Sequence, residues 1–328
     1  MVTKIVYALT SDENDVFLEQ VILSAYSLKK YNSKANVTLV VDSITNQNLK
    51  DDRANYKKYI DKTIVAVTPT GLTKRDRSRW LKTQIRELVV GDYLFIDSDT
   101  VITSELSNID NCEYDVCAVL DRHVTLTENQ RFNLIKKQFE SFGWEPTSQD
   151  EKYFNSGVMY VKDSLISHQL YKLWYHYWDD SRKRGLNIDQ PALAKANAEL
   201  GYVIKELSGE WNCQILGNGL TYLSQAKIIH FYNTASRGGL RNCPYKLSDN
   251  QVFMRIKKNK YLLDKQDINN IEKSKTLFAT KYDIISDAKL NIYYSSPVLF
   301  IYEIYQYHPR FYSIVNKLVH LYNKLKRH

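Results

Sequence analysis

Asp97-Ser98-Asp99 stands at the end of the apolar run Tyr93-Leu-Phe-Ile96, and it is the first group in this chain that could do chemistry. Two acids one residue apart at a strand end can turn toward one cation. Their hard oxygen donors suit Mg²⁺ or Mn²⁺. A divalent ion held there would neutralise a diphosphate leaving group by Lewis-acid chemistry. The plain alternative is a solvated loop, because such a triplet recurs by chance. His230 closes the strand-like run Ala226-Lys-Ile-Ile-His230. Alone it reads as a hydrogen-bonded structural histidine, and beside Asp97 and Asp99 it becomes a third metal ligand. Asn155-Ser156-Gly157 reads as a turn whose glycine lets the backbone approach something closely. Asp189-Gln190-Pro191 reads as a helix start with Asp189 as its cap. Ser208-Gly-Glu-Trp211-Asn212 reads as a loop around a packed tryptophan.

These residues need a frame, and the hydrophobic pattern supplies one. Residues 4–10 form a short apolar run that ends in Ser11-Asp-Glu-Asn-Asp15. A helical pattern follows, with Phe17, Val21, Ile22, Ala25, Tyr26 and Leu28 on one face and Glu19, Lys29 and Lys30 turned away. Strands are expected at 36–41, 63–67, 92–97, 115–121, 157–162, 202–205 and 226–231. Helices are expected at 46–59, 78–89, 165–182 and 190–200. Strands alternating with helices imply a mostly parallel α/β sheet. Such sheets bind ligands beyond the carboxyl ends of their strands. Three strand ends here are polar: Thr10-Ser11-Asp12, Asp97-Ser98-Asp99 and Asp121-Arg122. The alternation stops near residue 245, so residues 1–245 are expected as the catalytic domain and 246–328 as a helical region broken by Pro297 and Pro309.

Composition narrows the classes. The chain has 328 residues, 44% hydrophobic and 25% charged, which excludes disorder and repeat fibres. Mean hydropathy is −0.43, and no apolar run reaches the ~18 residues of a membrane span. The N-terminus lacks a signal-peptide core, so a cytoplasmic protein is expected. Cys112, Cys117, Cys213 and Cys243 form no CxxC pair and read as simple buried thiols. No GxxxxGK[ST], GxGxxG or GxSxG motif occurs, which removes P-loop ATPases, standard dinucleotide enzymes and ordinary α/β-hydrolases.

Taken together and in order, Val6-Tyr-Ala-Leu-Thr-Ser11, Asp97-Ser-Asp99, Phe154-Asn-Ser-Gly157, Asp189-Gln190, Trp211-Asn212 and His230-Phe231 resemble the family 8 glycosyltransferases. The resemblance runs from Ile5 to about Phe231. It implies a GT-A fold, a Rossmann-like mixed sheet flanked by helices. It implies a retaining enzyme that moves a hexose, galactose or glucose, from a UDP-sugar to a glycan acceptor, with a lipid-linked or surface polysaccharide intermediate as the family-level guess. By the same resemblance Asp97, Asp99 and His230 hold Mn²⁺ (or Mg²⁺). Ala8, Leu9, Thr10 and Ser11 line the uracil pocket, Phe17 stacks on the base, and Arg79 and Lys82 touch donor phosphate and sugar. Ser98, Asp121, Asn155, Ser156, Asp189 and Gln190 surround the donor, with Gln190, Asp189 and Asn155 nearest the chemistry. Covalent and front-face attack both stay open. Two departures stand out. The segment after His230 carries Arg237 where many members have Lys, and Pro191 replaces the usual acid after Gln190.

Two other readings share the fold. One is a carbohydrate- or UDP-binding protein without turnover. The other is a sugar-nucleotide pyrophosphorylase, which usually needs a Gly-rich basic loop that Thr10 to Val16 lacks. Residues 251–328 hold 14 Lys and Arg against 6 acids, a surplus equal to the +8 of the whole chain. From Phe311 to Arg327, Phe311, Ile314, Val315, Leu318, Leu321, Tyr322 and Leu325 share one helical face. A basic amphipathic helix with aromatics suits an anionic membrane surface, here the inner face of the plasma membrane. Docking on the protein core is the alternative. Nucleic acid is not an expected partner, since no binding motif occurs.

Overall fold

The computed structural model describes all residues except 142, 146–151, 216, 232–244, 277–291, 293–294 and 326–328, and no side chain at 141, 217, 323 or 324. They fall into two compact units. One comprises Met1–Asn129 and Asn133–Ala279, the other Gln130–Phe132 and Thr280–His328.

In the first unit β1 (Lys4–Leu9), α1 (Phe17–Tyr31), β2 (Val37–Asp42), α2 (Ser43–Asn48), β3 (Lys62–Ala66), α3 (Lys74–Leu88) and β4 (Tyr93–Ile96) alternate as expected. Then come β5 (Thr100–Ile102), β6 (Val116–Leu120), α4 (Phe132–Ser141), β7 (Phe154–Val161), α5 (Leu165–Lys183), α6 (Gln190–Glu199), β8 (Ile204–Glu206), β9 (Cys213–Gln214), β10 (Ile228–His230), α7 (Asn250–Lys258) and α8 (Lys265–Glu272). The main sheet has the order β3-β2-β1-β4-β7-β6-β8. It is parallel except at β7, which runs antiparallel to both β4 and β6. A small second sheet has the order β5-β10-β9.

Every residue of β2 is buried, as a strand covered on both faces requires. Alternation along β1 sorts the two faces. Ile5, Tyr7 and Leu9 pack with Leu18, Val21, Ile22 and Ala25 of α1. Val6 packs with Leu81 and Ile85 of α3 and with Trp174 and Trp178 of α5. Those two tryptophans, four apart on one helical face, are fully buried. Truncating either to alanine removes about 3–5 kcal/mol. A capping box in which Thr73 and Asp76 bond each other's backbone N–H starts α3 and so sets where Arg79 and Lys82 emerge.

Three expectations are corrected. The single helix at 46–59 is two pieces, α2 and a 3₁₀ turn at Asp51–Lys58, because Asp51 takes a left-handed backbone (φ 51°). Asn155-Ser156-Gly157 lies inside β7 and is not a turn, opposite a register shift between Ala118 and Val119 of β6. Glu19 is fully buried rather than turned to solvent, because the loop before α1 and α7 cover that side of the helix.

The second unit contains α9 (Ser296–Tyr307) and α10 (Pro309–Leu325), with Tyr305 and Tyr312 in edge-to-face contact at 5.0 Å. The apolar face expected on α10 is present but open, with Phe311, Ile314, Leu318, Leu321, Tyr322 and Leu325 all exposed. No helix among the described residues is long and apolar enough to cross a membrane.

Candidate active site

Asp97-Ser98-Asp99 forms the link by which the chain leaves the main sheet at β4 and enters the second sheet at β5. The link is held from both sides. Asp97 N–H donates to Gly157 O (2.7 Å), Thr100 Oγ1 to Asp97 O (2.8 Å) and Phe231 N–H to Asp99 O (3.0 Å). Antiparallel pairing sets His230 opposite Thr100, one residue past Asp99. The imidazole Nε2 therefore stands 3.2 Å from Asp99 Oδ1. One ligand atom from each of Asp97, Asp99 and His230 lies within 4.8 Å of the others. Two hard carboxylates and one imidazole fit Mg²⁺ or Mn²⁺ in their donor chemistry.

The electrostatics are divided within this cluster. Burial pushes the Asp97 carboxyl above its ordinary range, against the pull of the Lys82 ammonium. Burial acts on Asp99 too, but the His230 pair outweighs it and holds Asp99 below the ordinary range. Lys82 is buried, lies 3.1 and 3.2 Å from the two Asp97 oxygens, and sits over the Phe95 ring at 5.0 Å.

Behind the cluster runs a buried polar chain. Asn155 Nδ2 and Asn129 Nδ2 donate to the two oxygens of Asp121 at 3.1 and 3.0 Å. Asn155 Oδ1 accepts from Gly157 N–H (2.9 Å) and Asn212 Nδ2 (3.0 Å). Asn212 Oδ1 stands 3.0 Å from His230 Nδ1. A Cβ on Gly157 would come within 2.5 Å of His230 Cε1, so the imidazole is what this glycine admits.

Arg79 and Asp189 form an ion pair, Nε to Oδ1 at 2.9 Å. Burial raises the Asp189 carboxyl, but Arg79 and then Lys82 outweigh it and hold it below its ordinary range. The expected capping bond from Asp189 is absent. Its side chain turns to Arg79 instead, and its carbonyl accepts from Trp174 Nε1 at 2.8 Å. Its Oδ2 is buried with no hydrogen-bond partner among the described residues. Gln190 follows, half-buried, as the first residue of α6.

At the end of β1, Leu9, Thr10 and Ser11 are buried while Ala8 and Phe17 are half-buried. Ser11 N–H donates to Thr45 Oγ1 (3.0 Å), and Ser11 Oγ donates to Asp15 Oδ1 (2.8 Å). Ser98 Oγ donates to Gln20 Oε1 of α1 (3.2 Å), and Ser156 is buried within β7. Arg237 lies outside the described residues. Cys112, Cys117 and Cys213 are free; Cys112 is only half-buried, and its Sγ lies 3.2 Å from that of Cys117. Arg53, Lys74 and Lys257 were not foreseen at the Ser11–Asp15 loop. Nothing in their local sequence marks them, since lone basic residues on polar segments usually face water.

The fold and site together define the class. The galactosyltransferase LgtC in complex with donor and acceptor sugar analogs superposes with a TM-score of 0.52 at 13% identity, over 81% of this chain and 99% of that one. An active-site glutamine-to-glutamate variant of LgtC matches equally (0.52, 13%, 80% and 98%). The bifunctional glycosyltransferase WbbM matches at 0.51 and 14%, over 83% of this chain and 51% of that one. These likenesses show a GT-A-type α/β fold with a helical C-terminal region. A search of curated proteins gave no match. Residues 5–236 match the profile of glycosyl transferase family 8, and the chain belongs to that family.

Proposed function

We propose that this chain is a metal-dependent, retaining hexosyltransferase that uses a UDP-sugar, UDP-galactose or UDP-glucose, as donor. The observation that carries the reading is the convergence of Asp97, Asp99 and His230 within 4.8 Å, at the strand ends where an open α/β sheet binds ligands. These three residues would hold the divalent ion. Bound there, the ion supplies positive charge to the diphosphate as it leaves. The remaining work belongs to side chains. Lys82 and Arg79 bring two cations beside the acids and suit an anionic donor. Asp189, fixed by Arg79, presents its unpartnered oxygen to sugar hydroxyls. Gln190, next to it, offers an amide carbonyl to the face of the sugar that becomes electron-poor. LgtC also carries an active-site glutamine. The loop at Ala8, Leu9, Thr10 and Ser11 with Phe17 receives the uracil, and Asp121, Asn155 and Ser156 back the donor pocket. Thermal-shift titration with UDP-sugars and Mn²⁺, followed by linkage analysis on a glycan array, tests the reading. Stabilisation by UDP-hexose and a retained anomer in the product are expected. Failure of any UDP-sugar to bind overturns it, and binding without turnover on every acceptor favours a non-catalytic sugar-nucleotide binder.

The acceptor is proposed to be a glycan on a lipid at the inner face of the plasma membrane, reached by a peripheral protein. Support comes from α9 and α10, which expose Phe300, Tyr302, Tyr305, Tyr307, Phe311 and Tyr322 in a basic stretch of sequence. Aromatic and basic side chains together favour an anionic interface. Sedimentation with phosphatidylglycerol liposomes should pellet the full chain and lose it in high salt. Equal pelleting with neutral liposomes, or none with either, overturns the membrane reading.

A further inference from the structure

The buried chain from Asp121 to His230 has a direction. A carboxylate only accepts, so both Asp121 oxygens require the amide nitrogens of Asn129 and Asn155 to face them. A backbone N–H only donates, so Gly157 independently requires Asn155 Oδ1 on its side. These two constraints agree, and they leave Asn155 Oδ1 as the acceptor for Asn212 Nδ2. Asn212 therefore turns its Oδ1 toward His230 Nδ1. Flipping the Asn212 amide would set its oxygen against Asn155 Oδ1, which the Gly157 N–H already fixes as an acceptor. Asp121, Asn155, Asn212 and His230 are all at most 7% exposed, so water does not substitute for a lost partner.

We propose that Asn212 is a positioning residue: through a relay anchored at Asp121 and Gly157, it keeps a proton on His230 Nδ1 and reserves Nε2 for the cation between Asp97 and Asp99. A histidine ligand generally has its free nitrogen chosen by the bond its other nitrogen makes. Here a neutral amide makes that choice, and its own orientation is decided two residues away. Gly157 belongs to the same device, since it supplies a fixed N–H and admits the ring. The consequence for cation binding rests on the metal reading above, whereas the proton position does not.

The test uses the full chain labelled with ¹⁵N-histidine. In metal-free buffer the His230 spectrum should show a protonated Nδ1, whether or not Nε2 also shares a proton with Asp99 Oδ1 at 3.2 Å. A bare Nδ1 overturns the proposal without any variant. Asn212→Leu removes the acceptor, so the proton should redistribute to Nε2 and Mn²⁺ affinity, read by electron paramagnetic resonance with UDP present, should fall about 10-fold or more. Asn212→Asp keeps an acceptor for Nδ1–H, so it should retain the wild-type tautomer and Mn²⁺ binding. A purely structural asparagine would lose both in both variants, and that result overturns the proposal. So does a leucine variant with the wild-type tautomer and Mn²⁺ affinity. Absence of Mn²⁺ binding by the wild type would count against the metal reading, while the wild-type spectrum still decides the relay.

Discussion

The Asp97, Asp99 and His230 cluster and the Ser11–Asp15 loop stand at the same carboxyl-end edge of the sheet, yet they are held by opposite means. His230 is backed by neutral amides in a buried chain. The loop is gripped by three cations from three separate elements. Arg53 donates to Ser11 Oγ (2.8 Å) and Asp12 O (3.1 Å) and stacks on Tyr261 at 5.3 Å. Lys74 of α3 bonds the carboxylates of both Asp12 and Asp15. Lys257 of α7 donates to Glu13 O (3.0 Å) and Asp15 O (2.5 Å). Neutral, buried hydrogen bonds barely respond to salt or pH. Partly exposed ionic contacts respond to both. The comparison teaches that the geometry around His230 is held by neutral buried bonds, while the grip on the Ser11–Asp15 loop is built from charge.

Breaking the cluster should have the largest effect. Asp97→Asn with Asp99→Asn should lower Mn²⁺-dependent UDP release by roughly 1000-fold or more, since both carboxylate ligands lose their charge. Full turnover by that double variant in the presence of EDTA would sink the cation role.

The second effect concerns Glu19, which sits beneath the loop with neither oxygen hydrogen-bonded among the described residues. Burial pushes its carboxyl up to about 7, against the pull of Lys257 at 3.7 Å and of Arg53, with Asp15 pushing it further up. A raised acid binds its proton more tightly in the folded state. Its stabilising contribution is therefore full below the unfolded value near 4.5 and is lost as pH rises to about 7. Glu19→Gln should accordingly gain up to about 3 kcal/mol over the wild type at pH 8 and little at pH 4. Urea melts at the two pH values measure it, and a pH-independent difference contradicts the burial argument.

A smaller change is expected at Lys257. Its replacement by Met should raise the donor KM about 10-fold with kcat nearly unchanged, as loss of charge-assisted bonds to a binding loop predicts. A fall in kcat alone would place Lys257 elsewhere in the mechanism. Salt should act least. Raising NaCl from about 0.1 to about 0.5 M shortens the screening length from ~10 Å to under half that. The donor KM should then rise about twofold, while Mn²⁺ affinity in the presence of UDP, corrected for ionic activity, should move less. Equal sensitivity of the two would erase the distinction between the regions.

Much of this was legible before any tertiary structure. Apolar runs ending in acids named β1, β4 and β6 and the ligand edge, because strand periodicity and strand-end polarity are local properties of sequence. Phe17, Val21, Ile22 and Ala25 announced the face of α1 that packs on β1 for the same reason. Motif order pointed to the family, and with it to His230 as partner of Asp97 and Asp99. What stayed hidden depends on contacts between distant segments. Asn155-Ser156-Gly157 carries turn-forming residues, yet pairing with β6 and the approach of the His230 ring draw them into a buried strand. Asp189 precedes a proline at a helix start, yet Arg79 from α3 takes its carboxylate. Glu19 looks solvent-facing by helical period, yet α7, more than 230 residues later, covers it. The sequence alone determined which elements form and which side chains carry donor atoms. Only the tertiary structure decided which of those atoms face one another, because hydrogen-bond direction and burial are set by neighbours that the local sequence does not contain.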